Sequence, residues 1–159
     1  MKNSTRNALA VFLVDTNVLV YAYDRSEGPK RQRAIDVLEA VGIAEIGVLS
    51  TQILGEFFVT VTRKIPTPLS AGDASSAVMK YLDSWPIIDI TGTIVLEALR
   101  GVGQHQMHYY DSVIWAAAKL NQIQEVLTED SQHGRVIEGV RYLNPFHTAF
   151  NMSMLQAAQ

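Results

Sequence analysis

The chain has 159 residues, of which 48% are hydrophobic and 18% charged, enough for one ordered domain with a sizeable core. It contains no cysteine, which excludes disulfides, thiolate zinc sites and cysteine nucleophiles and fits a reducing, cytoplasmic setting. With a formal net charge of −3 and a pI of about 5.8, whole-chain charge draws in no nucleic acid, so contact with phosphate needs a local basic patch or a bound cation.

In chain order, the opening "MKNSTRNALAVFLVD" sets basic Lys2 and Arg6 before an apolar run that meets Asp15 with no small-residue cleavage site. It reads as a polar lead-in to a first strand and not as a secretion signal. Residues 10–14, AVFLV, have the continuous apolar character of a strand buried on both faces. A short helix is expected over 17–23. Pro29 suits the first turn of a second helix over about 30–41, with Ile35, Leu38 and Val41 on one side. Residues 46–50, IGVLS, read as strand two. Ser50 or Thr51 caps a third helix with Ile53, Leu54, Phe57, Phe58 and Val61 at helical spacing, and Pro66 and Pro68 end it. Ser70 and Asp73 form a capping box for a helix ending near Trp85.

Residues 86–90, PIIDI, read as strand three, and Thr91 caps a helix reaching about Val102. "GVGQHQMH" reads as a loop, followed by a helix from near Asp111 through "SVIWAAAKLNQ". Strand four is EVLT, 125–128. After the loop "EDSQHGRVIEG", strand five lies near Val140 to Leu143. The tail from His147 is helix-like or frayed. No segment is long enough to span a membrane. Strands alternating with helices predict an α/β fold with a mainly parallel sheet of about five strands, covered on both faces. Ligands bind such sheets at the carboxyl ends of the strands.

Four carboxylates stand in comparable places. Asp15 follows strand one, Glu56 sits among apolar residues in the helix after strand two, Asp111 opens the helix before strand four, and Asp130 follows strand four. They are far apart in sequence, and only a parallel sheet brings them to one edge. Crowded carboxylates repel and raise one another's pKa, and a hard divalent cation removes that conflict. Such a cluster, loaded with magnesium or manganese, suits phosphodiester hydrolysis by an activated water. Taken singly, the three aspartates also read as caps or turn residues, and Glu56 as a partner of Arg63 or Lys64.

The segments "FLVDTNVLVYAYD", "LSTQILGEFF", "YYDSVIWAAA", "LTEDSQHG" and "GVRYLNPF", in that order, resemble the PIN-domain ribonucleases over about residues 11–146. A single-domain protein of this size resembles most the toxins of VapBC-type toxin–antitoxin pairs. The resemblance implies a PIN-like α/β/α sandwich spanning residues 1–159 as one domain. It implies an endoribonuclease dependent on Mg2+, with Mn2+ as the alternative, leaving 5′-phosphate and 3′-hydroxyl ends. Asp15, Glu56, Asp111 and Asp130 would be both metal ligands and catalytic residues. Asn17 would orient the first acid or its waters, and Thr16, Thr51 and Ser131 would support the ligands from behind. The implied partners are an RNA substrate, a cognate antitoxin and a second copy in a homodimer. An apolar groove for the antitoxin would involve Leu19, Tyr23, Phe57 and Phe58, which their spacing alone makes core residues.

Lys30, Arg31 and Arg33 form a basic cluster readable as phosphate contacts or as a solvated helix face. His105, His108, His133 and His147 have no metal-ligand spacing and read as surface or turn residues. Phosphate-cradling loops and a GxSxG elbow are absent. The competing reading is a PIN-like module that binds RNA or protein without cutting.

Overall fold

The computed structural model describes residues 10–156. The apolar run after the lead-in forms β1, Phe12–Val14, with all three side chains buried, and it lies at the middle of the sheet. Six strands pair in the order β3-β2-β1-β4-β6-β5. The others are β2 (Gly47–Ser50), β3 (Ile87–Ile88), β4 (Glu125–Leu127), β5 (Val136–Ile137) and β6 (Val140–Leu143). All neighbours are parallel except β5 against β6. The helices are α1 (Thr16–Tyr23), α2 (Pro29–Ile43), α3 (Thr51–Arg63), α4 (Ala71–Ser84), α5 (Gly92–His105) and α6 (Tyr109–Leu120). No helix among the described residues is long and apolar enough to cross a membrane.

Local chemistry sets the helix starts. Ser50 Oγ accepts from Ile53 N at 3.2 Å, Ser70 Oγ from Asp73 N at 3.0 Å, and Thr91 Oγ1 from Ile94 N at 3.3 Å. Each hydroxyl satisfies an amide that the helix cannot. Asp15 caps α1 in the same way. The consecutive strands β1 and β2 run to one side and β4 to the other. The order therefore reverses between β1 and β4, and a crevice opens at the carboxyl ends of those two strands.

The structure departs from the sequence reading in four places. The segment read as a loop at 101–108 is helical as far as His105, and α6 starts at Tyr109, so Asp111 lies in its first turn. One of the two glycines that argue for a loop, Gly101, serves packing, whereas Gly103 faces open space. A Cβ on Gly101 would stand 2.4 Å from Ser112 Oγ and 2.7 Å from the Trp115 ring, so this glycine lets α6 approach α5. Second, the loop before β6 contains β5, a sixth strand. It turns into β6 through Glu138 and Gly139, with φ of 46° and 86°, a two-residue turn whose positive angles carry no Asn-Gly signal. Third, the tail, read as helix-like or frayed, forms a 3-10 turn at Met152–Leu155 packed beside α2, and Phe150 and Leu155 are buried, so this part is docked and not frayed. Fourth, His133 does more than occupy a turn: it stacks on His147 at 4.8 Å and accepts from Asn144 N at 3.0 Å. The lead-in residues lie outside the described part.

Gly101→Ala is expected to cost about 1–3 kcal/mol, because two helices must separate to admit one methyl group. Urea denaturation of the variant checks this; an unchanged midpoint would mean that the α5–α6 contact is loose.

Candidate active site

Asp15 is the first residue beyond β1, and its amide donates to Leu127 O at 2.9 Å, which carries the β1–β4 ladder up to the carboxylate. Its side chain is 5% exposed. Oδ1 accepts from Thr16 N at 2.6 Å, and Oδ2 from Thr128 Oγ1 at 2.7 Å and Asn17 Nδ2 at 3.4 Å. Asn17 Nδ2 also reaches Thr128 Oγ1 at 3.1 Å and Asp130 Oδ2 at 3.0 Å. One turn of α1 thereby holds the acids that end β1 and β4. Thr128 is the hub on the other side. Its hydroxyl donates to Asp15 and accepts from Asp130 N at 3.0 Å as well as from Asn17.

Asp15, Asp111, Asp130 and Ser131 line one cavity of about 170 Å³, together with the α5–α6 connection and with Arg135, Ile137 and Tyr142. Burial is the main force on Asp15 and pushes its carboxyl up to about 7; the hydrogen bonds from Thr128 and Thr16 oppose this, and the charges of Asp130 and Asp111 add to it. The Asp111 carboxyl is also raised, first by burial and then by Asp130, with His108 opposing and Glu56 adding. Glu56 does not line the cavity. It stands at its margin, accepting from Thr16 Oγ1 at 3.1 Å and Gln52 Nε2 at 3.0 Å rather than pairing with Arg63 or Lys64.

Among the described residues no three acidic or histidine side chains form a ready set of metal ligands. The donor set nonetheless suits a hard cation that keeps several waters and binds through one or two carboxylates. A buried carboxylate opposed by two others, with no ion-pair partner of its own among the described residues, is the electrostatic complement of such an ion.

The remaining sequence candidates divide. Thr16 bridges to Glu56, and Ser131 lies on the cavity wall. Thr51 is turned elsewhere, its hydroxyl accepting from Ile90 N at 3.2 Å. Lys30 pairs with Glu129 and lies 5.1 Å over the Tyr21 ring, so its charge is already engaged, and neither Arg31 nor Arg33 lines the cavity. His105 is no plain surface residue; it pairs with Glu138 and packs its ring on Trp115. Leu19 and Phe57 are core residues at 0% exposure, not groove. An open apolar groove does exist between α3 and α4, lined by Leu54, Phe58, Val59, Val78, Met79 and Leu82.

Thr128, Arg135 and Tyr142 went unnoticed in the sequence. Thr128 had a signal: a hydroxyl at the end of a strand, directly before an acidic pair. Thr128→Val is expected to cost about 1–3 kcal/mol, because the Asp15 carboxylate, the Asn17 amide and the Asp130 N–H each lose a partner. Thermal denaturation measures it, and an unchanged melting temperature would show that water replaces the hydroxyl without loss.

The sequence model of the PIN domain matches residues 12–138, from the first residue of β1 to the β5–β6 turn. The chain belongs to the PIN domain family. No curated protein matches the sequence. Among solved structures, this PIN domain resembles one in a toxin–antitoxin complex from Klebsiella pneumoniae at 20% identity, covering 84% of this chain and 97% of that one, TM-score 0.62. It resembles one in a DNA-bound VapBC complex from Salmonella typhimurium at 14% identity, covering 84% and 97%, TM-score 0.61. The Mycobacterium tuberculosis toxin VapC20, described as cleaving the sarcin–ricin loop, is similar at 15% identity, covering 72% and 86%, TM-score 0.56. At these identities the likeness is one of fold. The stretch matched to the PIN domain holds all four acids.

Proposed function

We propose that this PIN domain is a metal-dependent endoribonuclease and the toxin of a toxin–antitoxin pair. The observation that carries the reading is the buried Asp15 carboxylate facing Asp111 and Asp130 across one cavity, at the point where the strand order reverses. Asp15, Asp111 and Asp130, with Glu56 at the margin, would hold a divalent ion of the magnesium or manganese type. When bound, the ion would supply an activated water and offset charge on the attacked phosphate. Asn17 fixes Asp130 and Asp15 relative to each other, Thr128 holds Asp15 from β4, and Thr16 and Gln52 orient Glu56.

The toxin role is supported by the fold shared with proteins of toxin–antitoxin complexes. We assign the antitoxin to the α3–α4 groove, an apolar strip on which Val59, Met79 and Leu82 are exposed. The test is incubation of the purified protein with a panel of RNAs in magnesium, in manganese and in chelator, with the product ends mapped. Metal-dependent cutting that leaves 5′-phosphate ends supports the reading. A folded, metal-loaded protein that binds these RNAs and cuts none supports the binding module instead.

A further inference from the structure

The cavity is larger than a cation needs. One water requires ~10–15 Å³ of such space, so about 170 Å³ leaves room for part of a substrate beyond a hydrated ion. Its far wall is made by the β5–β6 hairpin, through Arg135, Ile137 and Tyr142. Resting on the ribonuclease reading, we propose that Arg135 binds a phosphodiester group of the RNA strand beside the one that is cut, which makes this wall a phosphate subsite.

Three observations converge on it. First, Arg135 is held in place. Gly134 N donates to Tyr142 O at 2.7 Å and Tyr142 N to Arg135 O at 2.9 Å, so the backbone on both sides of its side chain is pinned to β6. Second, its guanidinium makes no ion pair among the described residues, although Asp111 and Asp130 line the same cavity. Other cations of the described residues also lack an ion pair, but no other lysine or arginine lines this cavity. Third, Tyr142 is largely buried, but its hydroxyl, without a hydrogen-bond partner among the described residues, is open to solvent, and the Arg135 charge acts on it. An unpaired guanidinium beside a free hydroxyl, with Ser131 on the same cavity, is a donor set for phosphate oxygens. In a chain of net charge −3 such a local cation is what an anionic strand requires.

The test is fluorescence anisotropy of a fluorescein-labelled single-stranded RNA decamer of mixed sequence, titrated in chelator over a range of salt. Arg135→Ala and Arg135→Gln are expected to weaken binding roughly tenfold. Each should lower the slope of log affinity against log salt by about 0.7, the single-strand value for one phosphate. Arg135→Lys should retain the slope, and all three should melt with the wild type. Unchanged affinity and slope in Arg135→Ala and Arg135→Gln, with a wild type that binds and cleaves RNA, would overturn the subsite and leave the ribonuclease reading intact. A wild type that neither binds nor cleaves removes the ribonuclease reading and the subsite with it.

Discussion

Asp15→Asn is expected to reduce RNA cleavage about a thousandfold or more, beyond the 10–100-fold cost of losing an outer partner of a metal ligand. Both oxygens of Asp15 accept hydrogen bonds in the fold. The carboxamide therefore cannot reproduce its contacts, and it cannot carry the charge that complements a cation. The same residue makes the stability of the metal-free protein depend on pH. In the fold its carboxyl is held protonated up to about 7, against 3.8 for a free one. Between those values the folded state keeps a proton that the unfolded state has released. Stability from this group is complete below about pH 4 and declines as pH rises to 7, at ~1.4 kcal/mol per unit. Melting curves from pH 4.5 to 8 in chelator should show that decline in the wild type and lose it in Asp15→Asn. Millimolar magnesium should flatten it, since an ion and a proton compete for the same oxygens. A melting temperature rising steadily over this range in chelator would contradict the burial of an unpaired carboxylate.

Trp115→Ala should be the most destabilising single truncation, costing about 3–5 kcal/mol. Trp115 is fully buried, its indole N–H donates to Ile137 O at 3.1 Å, and Arg100 and Lys119 lie over its ring at 5.4 and 5.1 Å. The truncation opens a cavity between α6 and the β5–β6 hairpin and orphans a strand carbonyl. At ~2–4 °C per kcal/mol for a chain of this size, the melting temperature should fall by roughly 10 °C or more. Trp115→Phe keeps much of the volume and loses only the donor, for about 1–3 kcal/mol. Equal losses in the two variants would place the whole effect in the hydrogen bond.

Much of this architecture is legible in the sequence because its signals are local. AVFLV is apolar at every position, which suits a strand covered on both faces, and its last three residues form the buried β1. Ser50, Ser70 and Thr91 stand where helices start, and each is seen capping one. What the sequence hid is non-local. Gly101 argues for a loop until Trp115 is known to press against α5 at that position. The hairpin turn uses Glu138 at a positive φ, a residue that no turn rule favours, so β5 was invisible.

The candidate site divides in the same way. Asp15 and Glu56 stand out as charges in apolar surroundings. Thr128, Arg135 and Tyr142 do not, because their significance depends on which strands are neighbours. For the basic cluster on α2, which the sequence leaves open between phosphate contacts and a solvated helix face, the partner of Lys30 is equally non-local: Glu129, 99 residues away.

Calorimetric titration of Mn2+ into the wild type, Asp15→Asn and Asp111→Asn, each confirmed folded, is the most direct test of the acidic site. The wild type should bind at neutral pH with release of protons, each variant should bind at least tenfold more weakly, and cleavage should be lost in parallel. Equal Mn2+ binding by all three proteins would show that the ion sits elsewhere, and the acids that end β1 and open α6 would then be structural.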